Sequence, residues 1–260
     1  MWERRVPDGE GRGPSGNRHP DPNREAGGVV TQAMETVVVT GGSRGIGNAV
    51  VRALVADGAH VATCARDGDA LDALETDLGD AAGRVTTQVA DVRDEYDVER
   101  FLETAAREAE AGVDAVLANA GVYHGDPGET PVGDESYAAF DDHFRTNARG
   151  VFATFREAAP HLAEDARLLA LSGRVAREPK PGYGSYAVSK AATEAVARQF
   201  GADLAVPVGV VDPGAVATDL TGGQGMDPER AVDLVLWALE EAAPETLDGE
   251  VVDRRTMRQS

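Results

Sequence analysis

The feature that most restricts this chain is the way its first regular segment ends. A β-branched run, Val37-Val38-Val39-Thr40, passes directly into a glycine-rich turn, Gly41-Gly42-Ser43-Arg44-Gly45-Ile46-Gly47. Apolar residues then recur at helical spacing through Ile46, Ala49, Val50, Ala53 and Leu54. A strand-like pattern that changes to a helix-like one across a short turn marks a strand feeding a helix. The alternation continues. Further strands are predicted at His60–Ala65, Arg84–Ala90, Val113–Ala118, Arg167–Leu171, Val208–Val211 and Glu250–Val252. Helices are predicted at Val98–Ala109 (ended by Gly112), Tyr137–Leu162, Ser185–Leu204 and Pro228–Ala242. Strands separated by helices require right-handed crossovers, so the strands lie parallel and the sheet is covered on both faces. The expected fold is α/β: a doubly wound parallel sheet of about seven strands, with its ligand at the carboxyl ends of the strands.

The turn itself has a chemical reading. Gly41 permits the tight bend, Gly45 lets backbone approach a pyrophosphate, and Gly47 permits close packing of helix on strand. The helix start at Gly45 and Ile46, beside Ser43 and Arg44, then offers free N–H groups and a partial positive charge to phosphates. A glycine cluster is a weak signal by itself. Here the strand before it and the helix after it supply the context that the reading needs.

Composition excludes several classes. The net charge of −20 argues against a nucleic-acid partner, because phosphate contacts need clustered Lys and Arg. No apolar run approaches the ~20 residues of a membrane helix. Residues 1–33 lack the apolar stretch of a secretion signal. Cys64 is the only cysteine, so no intrachain disulfide can form and a reducing cytoplasm is the expected compartment. The five histidines (His19, His60, His124, His143 and His161) show no ligand spacing, and no metal site is expected. Residues 1–33 hold six Gly, four Pro and little apolar periodicity, which predicts a disordered tail ahead of one domain over 34–260. Five acids balance five arginines in that tail, so the whole charge excess belongs to residues 34–260. Only Lys180 and Lys190 are lysines among 25 basic residues. Acidity with this arginine bias suits a G+C-rich genome and a high-salt interior, where carboxylates keep the surface hydrated.

Six short motifs, in order over residues 35–253, resemble those of the short-chain dehydrogenases/reductases. They are Thr40-Gly41-x-x-x-Gly45-Ile46-Gly47; Asp91-Val92; Asn119-Ala120-Gly121; Asn147 within Thr146-Asn147-Ala148-Arg149-Gly150; Tyr186-x-x-x-Lys190; and Pro213-Gly214 with Thr218 four residues on. The resemblance implies a Rossmann fold and an oxidoreductase that moves hydride between nicotinamide and a carbonyl or secondary alcohol. It implies that Asp91 and Val92 meet the adenine, that Asn119, Ala120 and Gly121 stabilise the sheet beside the cofactor, and that Asn147 anchors a proton-relay water. It also implies that Pro213, Gly214, Val216 and Thr218 clasp the nicotinamide carboxamide. A homodimer or homotetramer on the two long helices is the family's habit.

The residues add their own chemistry. Tyr186 and Lys190 are i and i+4 and share a helix face. A nearby ammonium lowers a phenol from its ordinary pKa of about 10 and makes Tyr186 a general acid/base. Lys190, in a chain that otherwise chooses Arg, also suits the family's contact with the nicotinamide ribose. The family's catalytic serine precedes the tyrosine by about thirteen residues. Gly173 stands there and Ser172 lies one earlier, so Ser172 is expected to bind the substrate oxygen across a longer loop. For the cofactor, Ala65 falls where NAD-specific members carry Asp, followed by Arg66, and Arg44 sits in the turn. NADP(H) is therefore expected, with NAD(H) second; Asp67 would oppose this if the register slipped by two. Arg174, Arg177 and Lys180 either favour an anionic substrate or form a solvated loop neutralised by nearby acids. His124 either touches substrate or is simply exposed. The alternative function is a catalytically inactive dinucleotide-binding regulatory or scaffold protein.

Overall fold

The computed structural model describes residues 34–260, so the expected tail of residues 1–33 lies outside the described residues. Seven strands form one sheet: β1 (Thr36–Thr40), β2 (His60–Ala65), β3 (Arg84–Val89), β4 (Val113–Ala118), β5 (Leu162–Leu171), β6 (Val208–Val211) and β7 (Val251–Val252). Their spatial order is 3-2-1-4-5-6-7 and every pairing is parallel. The order reverses beside β1, which pairs β2 on one side and β4 on the other. A crevice opens at such a point, beyond the carboxyl ends of the strands.

Both faces of the sheet are covered, which is why β1 is buried along its whole length. On one face α1 (Gly45–Ala56) and α7 (Pro228–Glu240) lay Val50, Leu54, Leu234, Val235 and Leu239 against Val37, Val39 and Leu169. On the other, α3 (Glu95–Glu108), α5 (Gly150–Ala158) and α6 (Gly184–Asp203) bring Phe101, Leu102, Phe155 and Ala197 onto Val38, Val116 and Leu168. Alternate residues of each strand thus feed two separate cores.

Two departures from the sequence reading have clear causes. A helix not foreseen, α2 (Gly68–Leu78), crosses from β2 to β3. It buries only Leu71 and Leu74, so its apolar signal is two residues among acids, while the Asp67 side chain caps it by accepting from Ala70 N at 3.1 Å. The long helix expected over Tyr137–Leu162 is three pieces. α4 (Tyr137–His143) runs into one wide π-helical turn, Phe144–Arg149, before α5. Pro160 then ends the helix, because it lacks an N–H and restricts the residue before it. β5 begins at Leu162, earlier than the pattern suggests, because exposed Glu164 and Asp165 interrupt its apolar run.

The acidic excess stays on the surface. Among the described acidic residues, Glu194, Asp212 and the side chain of Glu135 are the buried exceptions. Like charges spread over a closed surface repel at low salt and are screened within ~3 Å in molar salt. The melting temperature is therefore expected to rise by at least about 2–4 °C from dilute buffer to molar KCl, the shift that ~1 kcal/mol gives a domain of this size. An unchanged thermal melt would overturn the expectation of a high-salt interior. Cys64 is buried in β2, where burial pushes its thiol up to about 12 and leaves it unreactive.

Candidate active site

The glycine-rich turn leaves β1 at the crevice. Gly41 has φ +74°, and a Cβ there would stand 2.8 Å from Ala120 Cα, so only glycine fits. A side chain on Gly47 would strike Asn119 Nδ2 and the Gly41 carbonyl. Asn119 closes the join by donating from Nδ2 to the carbonyls of Thr40 (2.8 Å) and Gly41 (2.9 Å). The amides of Asn119 and Ala120 both donate to Thr40 Oγ1 at 3.2 Å. Asn48, which sequence reasoning missed, donates to the Gly42 carbonyl at 3.1 Å and is steadied by Arg52 at 2.8 Å. No side chain caps α1, and its first amide bond is Asn48 N to Arg44 O at 3.3 Å. The amides of Gly45, Ile46 and Gly47 are left for an anion.

These elements wall a cleft of about 1410 Å³. It gathers Gly41, Ser43, Arg44, Gly45 and Ile46 from the turn, Arg66 after β2, Val92 after β3, and Asn119, Ala120 and Gly121 after β4. Ser172, Tyr186 and Lys190 form a second wall, and Pro213, Gly214, Val216 and Thr218 a third. Of the expected site residues, Gly47, Asp91 and Asn147 do not line it. The cleft fits a dinucleotide: the uncapped helix start accepts phosphate, and Gly45 (φ +59°) keeps backbone bare beside Thr218. Thr146 Oγ1, on the wall, is buried with no partner among the described residues, which calls for a polar group there. β2 ends at Ala65, Arg66 follows, and the Asp67 carboxylate is engaged in capping α2. Arg44 is 72% exposed and only loosely paired with Asp219, at 3.6 Å.

Asp91 is gripped by its own neighbour. Arg93 forks onto both of its oxygens, with Nε at 3.0 and 2.9 Å and Nη2 at 2.6 Å, and Arg93 N adds a bond at 3.0 Å. Burial alone would raise this carboxyl, but those bonds outweigh it and hold the pKa below the usual value. Its acceptor sites are taken by Arg93 rather than left for an adenine amino group.

Tyr186 lies near the start of α6 with its ring against Tyr123, edge-on at 4.7 Å. Among the described residues no side chain or backbone group bonds its hydroxyl. Lys190 Nζ donates to the Leu171 carbonyl at 2.9 Å and sits 5.9 Å from the Tyr186 ring centre. Burial lowers Lys190 to about 8, against the pull of Glu194. Burial also raises Tyr186, with nearby Tyr123 and Asp212 adding to the rise. Desolvation is the larger cause of that rise.

Two other expected site residues make bonds within the protein. Asn147, in the π-helical turn, spends its amide on structure. Its Oδ1 accepts from Val122 N at 2.8 Å, and its Nδ2 donates to Val122 O at 3.0 Å and Ser189 Oγ at 2.9 Å. Its carbonyl accepts from Thr193 Oγ1 at 2.7 Å. These bonds tie α6 to the loop after β4. Ser172 reaches the cleft, but its hydroxyl donates to Glu194 Oε1 at 2.8 Å, so its one proton is committed. Arg177 explains why Glu194 can be buried: it bonds both Glu194 and Asp212, and Asp212 Oδ1 accepts from Gly214 N at 2.9 Å. The basic cluster does not face a substrate as a unit. Arg177 turns inward, Arg174 is paired with Glu178 at 4.0 Å, and Lys180 lies over the Tyr183 ring at 5.0 Å.

A second buried chain, invisible in the sequence, fixes the start of α6. Glu135 Oε2 accepts from Ser185 N at 2.5 Å and Oε1 accepts from Ser185 Oγ at 3.0 Å. Ser185 Oγ meets His143 Nδ1 at 2.7 Å, and His143 Nε2 accepts from His124 N at 2.9 Å. Burial, then the nearness of His124, lowers the pKa of His143, which keeps it neutral. Its Nε2 being an acceptor, Nδ1 carries the proton and donates to Ser185.

Residues 35–228 match the short chain dehydrogenase family model. The chain is 31% identical to glycine betaine reductase ATRR of Emericella nidulans over 80% of its own length, but spans only 18% of that longer enzyme. It is 31% identical to NADPH-dependent aldehyde reductase 2 of Arabidopsis thaliana, covering 72% of this chain and 74% of that one. A short chain dehydrogenase from Burkholderia cenocepacia, solved in complex with NADP, superposes with a TM-score of 0.75 at 27% identity, over 84% of this chain and 95% of the other. No described helix is long and apolar enough to cross a membrane. The sheet order, the cleft at its switch point and these likenesses agree, and the chain belongs to the short-chain dehydrogenase/reductase family of NAD(P)-dependent oxidoreductases.

Proposed function

We propose that the protein is an NADP(H)-dependent carbonyl reductase or alcohol dehydrogenase acting on a small molecule, with Tyr186 as general acid/base. The observation that carries this is the unpartnered Tyr186 hydroxyl in a cleft that the uncapped start of α1 also lines. The nicotinamide supplies or takes the hydride when bound. Pro213, Gly214, Val216 and Thr218 would hold its carboxamide and Lys190 its ribose, all of them lining the same cleft. Tyr186, raised by burial, keeps its proton until a carbonyl oxygen gains charge and then gives it up. Lys190 keeps two N–H donors beyond its Leu171 bond to steady that charge. Ser172 braces this wall through Glu194, and Asn147 holds α6 in place. Arg44 and Arg66 favour a 2′-phosphate, with NAD(H) the weaker cofactor. A homodimer or homotetramer fits the exposed Phe152 on α5 and Val188 on α6. The alternative, an inactive binding or scaffold protein, leaves the free Tyr186 hydroxyl and buried Lys190 without a purpose. NADPH oxidation across a panel of activated ketones and aldehydes tests the choice. Turnover is expected; NADPH binding without turnover of any member would favour the scaffold.

A further inference from the structure

Four charged side chains are packed together next to the wall that holds Tyr186, and of these only Lys190 lines the cleft. Glu194 is the deepest of them, 3% exposed. A carboxylate is carried that far from water only with partners around it. Glu194 Oε1 accepts from Ser172 Oγ at 2.8 Å and from Arg177, whose guanidinium also reaches Asp212. Asp212 accepts from Gly214 N at 2.9 Å. Ser172 and Arg177 belong to the segment after β5, and Asp212 to the turn after β6. Glu194 therefore ties α6 to both segments that carry the rest of the wall. An apolar residue of similar volume would hold these elements together about as well. A carboxylate adds a negative charge and a hydrogen-bond acceptor, so its use here points to a need for one or both.

Lys190 supplies the reason. It stands one turn before Glu194 on α6, at i and i+4, so the two share a helix face. Its Nζ spends one donor on the Leu171 carbonyl, and burial works against its charge. Glu194 is the group that opposes this burial and favours the ammonium. The other titratable groups on this stretch are Tyr186 on α6 itself, Arg177 after β5 and Asp212 after β6. Tyr123, His143 and Glu135 meet the start of α6 at Tyr186 and Ser185. We propose that Glu194 is a positioning residue for the reaction, whose carboxylate keeps Lys190 an ammonium at neutral pH and fixes the hydroxyl of Ser172 in the wall. Arg177 makes this possible by keeping Glu194 charged at that depth. The consequence for turnover rests on the oxidoreductase reading above; the pairing of Glu194 with Lys190 does not.

The chain has only two lysines, and Lys180 is exposed. Lysines carrying 13C at Cε therefore give two NMR signals, whose titration is read without substrate or cofactor. In wild type the Lys190 signal is expected to titrate near 8. Glu194→Gln, whose amide oxygen still accepts from Ser172, should move that midpoint to lower pH and leave Lys180 in place. Glu194→Asp returns the charge and should recover most of the change; it also carries the test if Glu194→Gln folds poorly. The alkaline fall in NADPH-dependent ketone reduction should follow the Lys190 signal in each variant. The bond to Ser172 is tested at pH 6, well below the Lys190 midpoint. There Glu194→Leu should lower kcat about tenfold, the worth of one hydrogen bond to a charged group, yet add less than about twofold to Ser172→Ala. A Lys190 midpoint that Glu194→Gln leaves unmoved, or losses from Glu194→Leu and Ser172→Ala that multiply in full, would overturn the proposal. A wild type that turns over no ketone, while Glu194→Gln still moves Lys190, would instead remove the oxidoreductase reading and leave Glu194 as the group that keeps Lys190 charged.

Discussion

Tyr186→Phe is expected to reduce turnover by at least ~10²-fold while leaving NADPH affinity nearly intact, the usual cost of removing a positioned general acid. The substitution removes one hydroxyl that has no described protein partner, so it breaks no internal bond, and the phenyl ring keeps its edge contact with Tyr123. A loss of this size would therefore report chemistry and not folding. The pH profile gives a second handle. Burial raises Tyr186, so it holds its proton across the neutral range. Lys190, lowered to about 8 by the same burial, is charged below that value and loses its charge as the pH rises through it. Reduction is therefore expected to be faster below about pH 8 than above it, with an alkaline fall whose midpoint follows Lys190. Turnover of Tyr186→Phe within a few-fold of wild type would show that another group delivers the proton.

The second large effect concerns cofactor choice. Wild type is expected to use NADPH over NADH by ~10²-fold or more in kcat/KM, since two charge-assisted bonds to a phosphate at roughly 1.5–3 kcal/mol each supply that bias. Arg44 and Arg66 line the same cleft, one from the turn after β1 and one just past β2. Asp67, a carboxylate next to Arg66, is held as the cap of α2. Arg44 is held only by a long contact to Asp219, so little is lost when it turns to a phosphate. Arg44→Ala/Arg66→Ala should erase most of the preference by weakening NADPH and sparing NADH. A wild type that prefers NADH, or a double variant that keeps its preference, would show that the 2′-phosphate is read elsewhere.

How far the site was legible depends on which physical signal each part carries. The turn, the strands and Tyr186 with Lys190 are local: each is a short run whose period or spacing states its own geometry. His60–Ala65, Val113–Ala118 and Val208–Val211 are strands with the bounds their patterns suggest, because continuous apolar runs flanked by glycine or polar residues have one good solution in a buried sheet. α2 was missed because two leucines among acids do not make a period, and a helix so thinly packed is declared by its Asp67 cap and its neighbours. The break in the long helix at Phe144–Arg149 was missed because a π-helical turn has no composition of its own; it follows from where Asn147 is tied.

Side-chain partners are another matter, since they join residues far apart in the chain. Ser172 sits where a substrate-binding hydroxyl was expected, and its O–H donates to Glu194, 22 residues on. Arg177 read as a surface cation, and folding turns it onto two buried carboxylates that could not stay charged without it. His124 was one loop histidine among several until Asp142, His143 and Arg93 converged on it from other segments. The sequence by itself determined the parallel α/β sheet, the phosphate-binding turn and the tyrosine–lysine pair, because periodicity and short spacing encode them locally. Only the tertiary structure decided which hydroxyl is free and which cation is spent, because burial and hydrogen bonding between distant segments fix each partner.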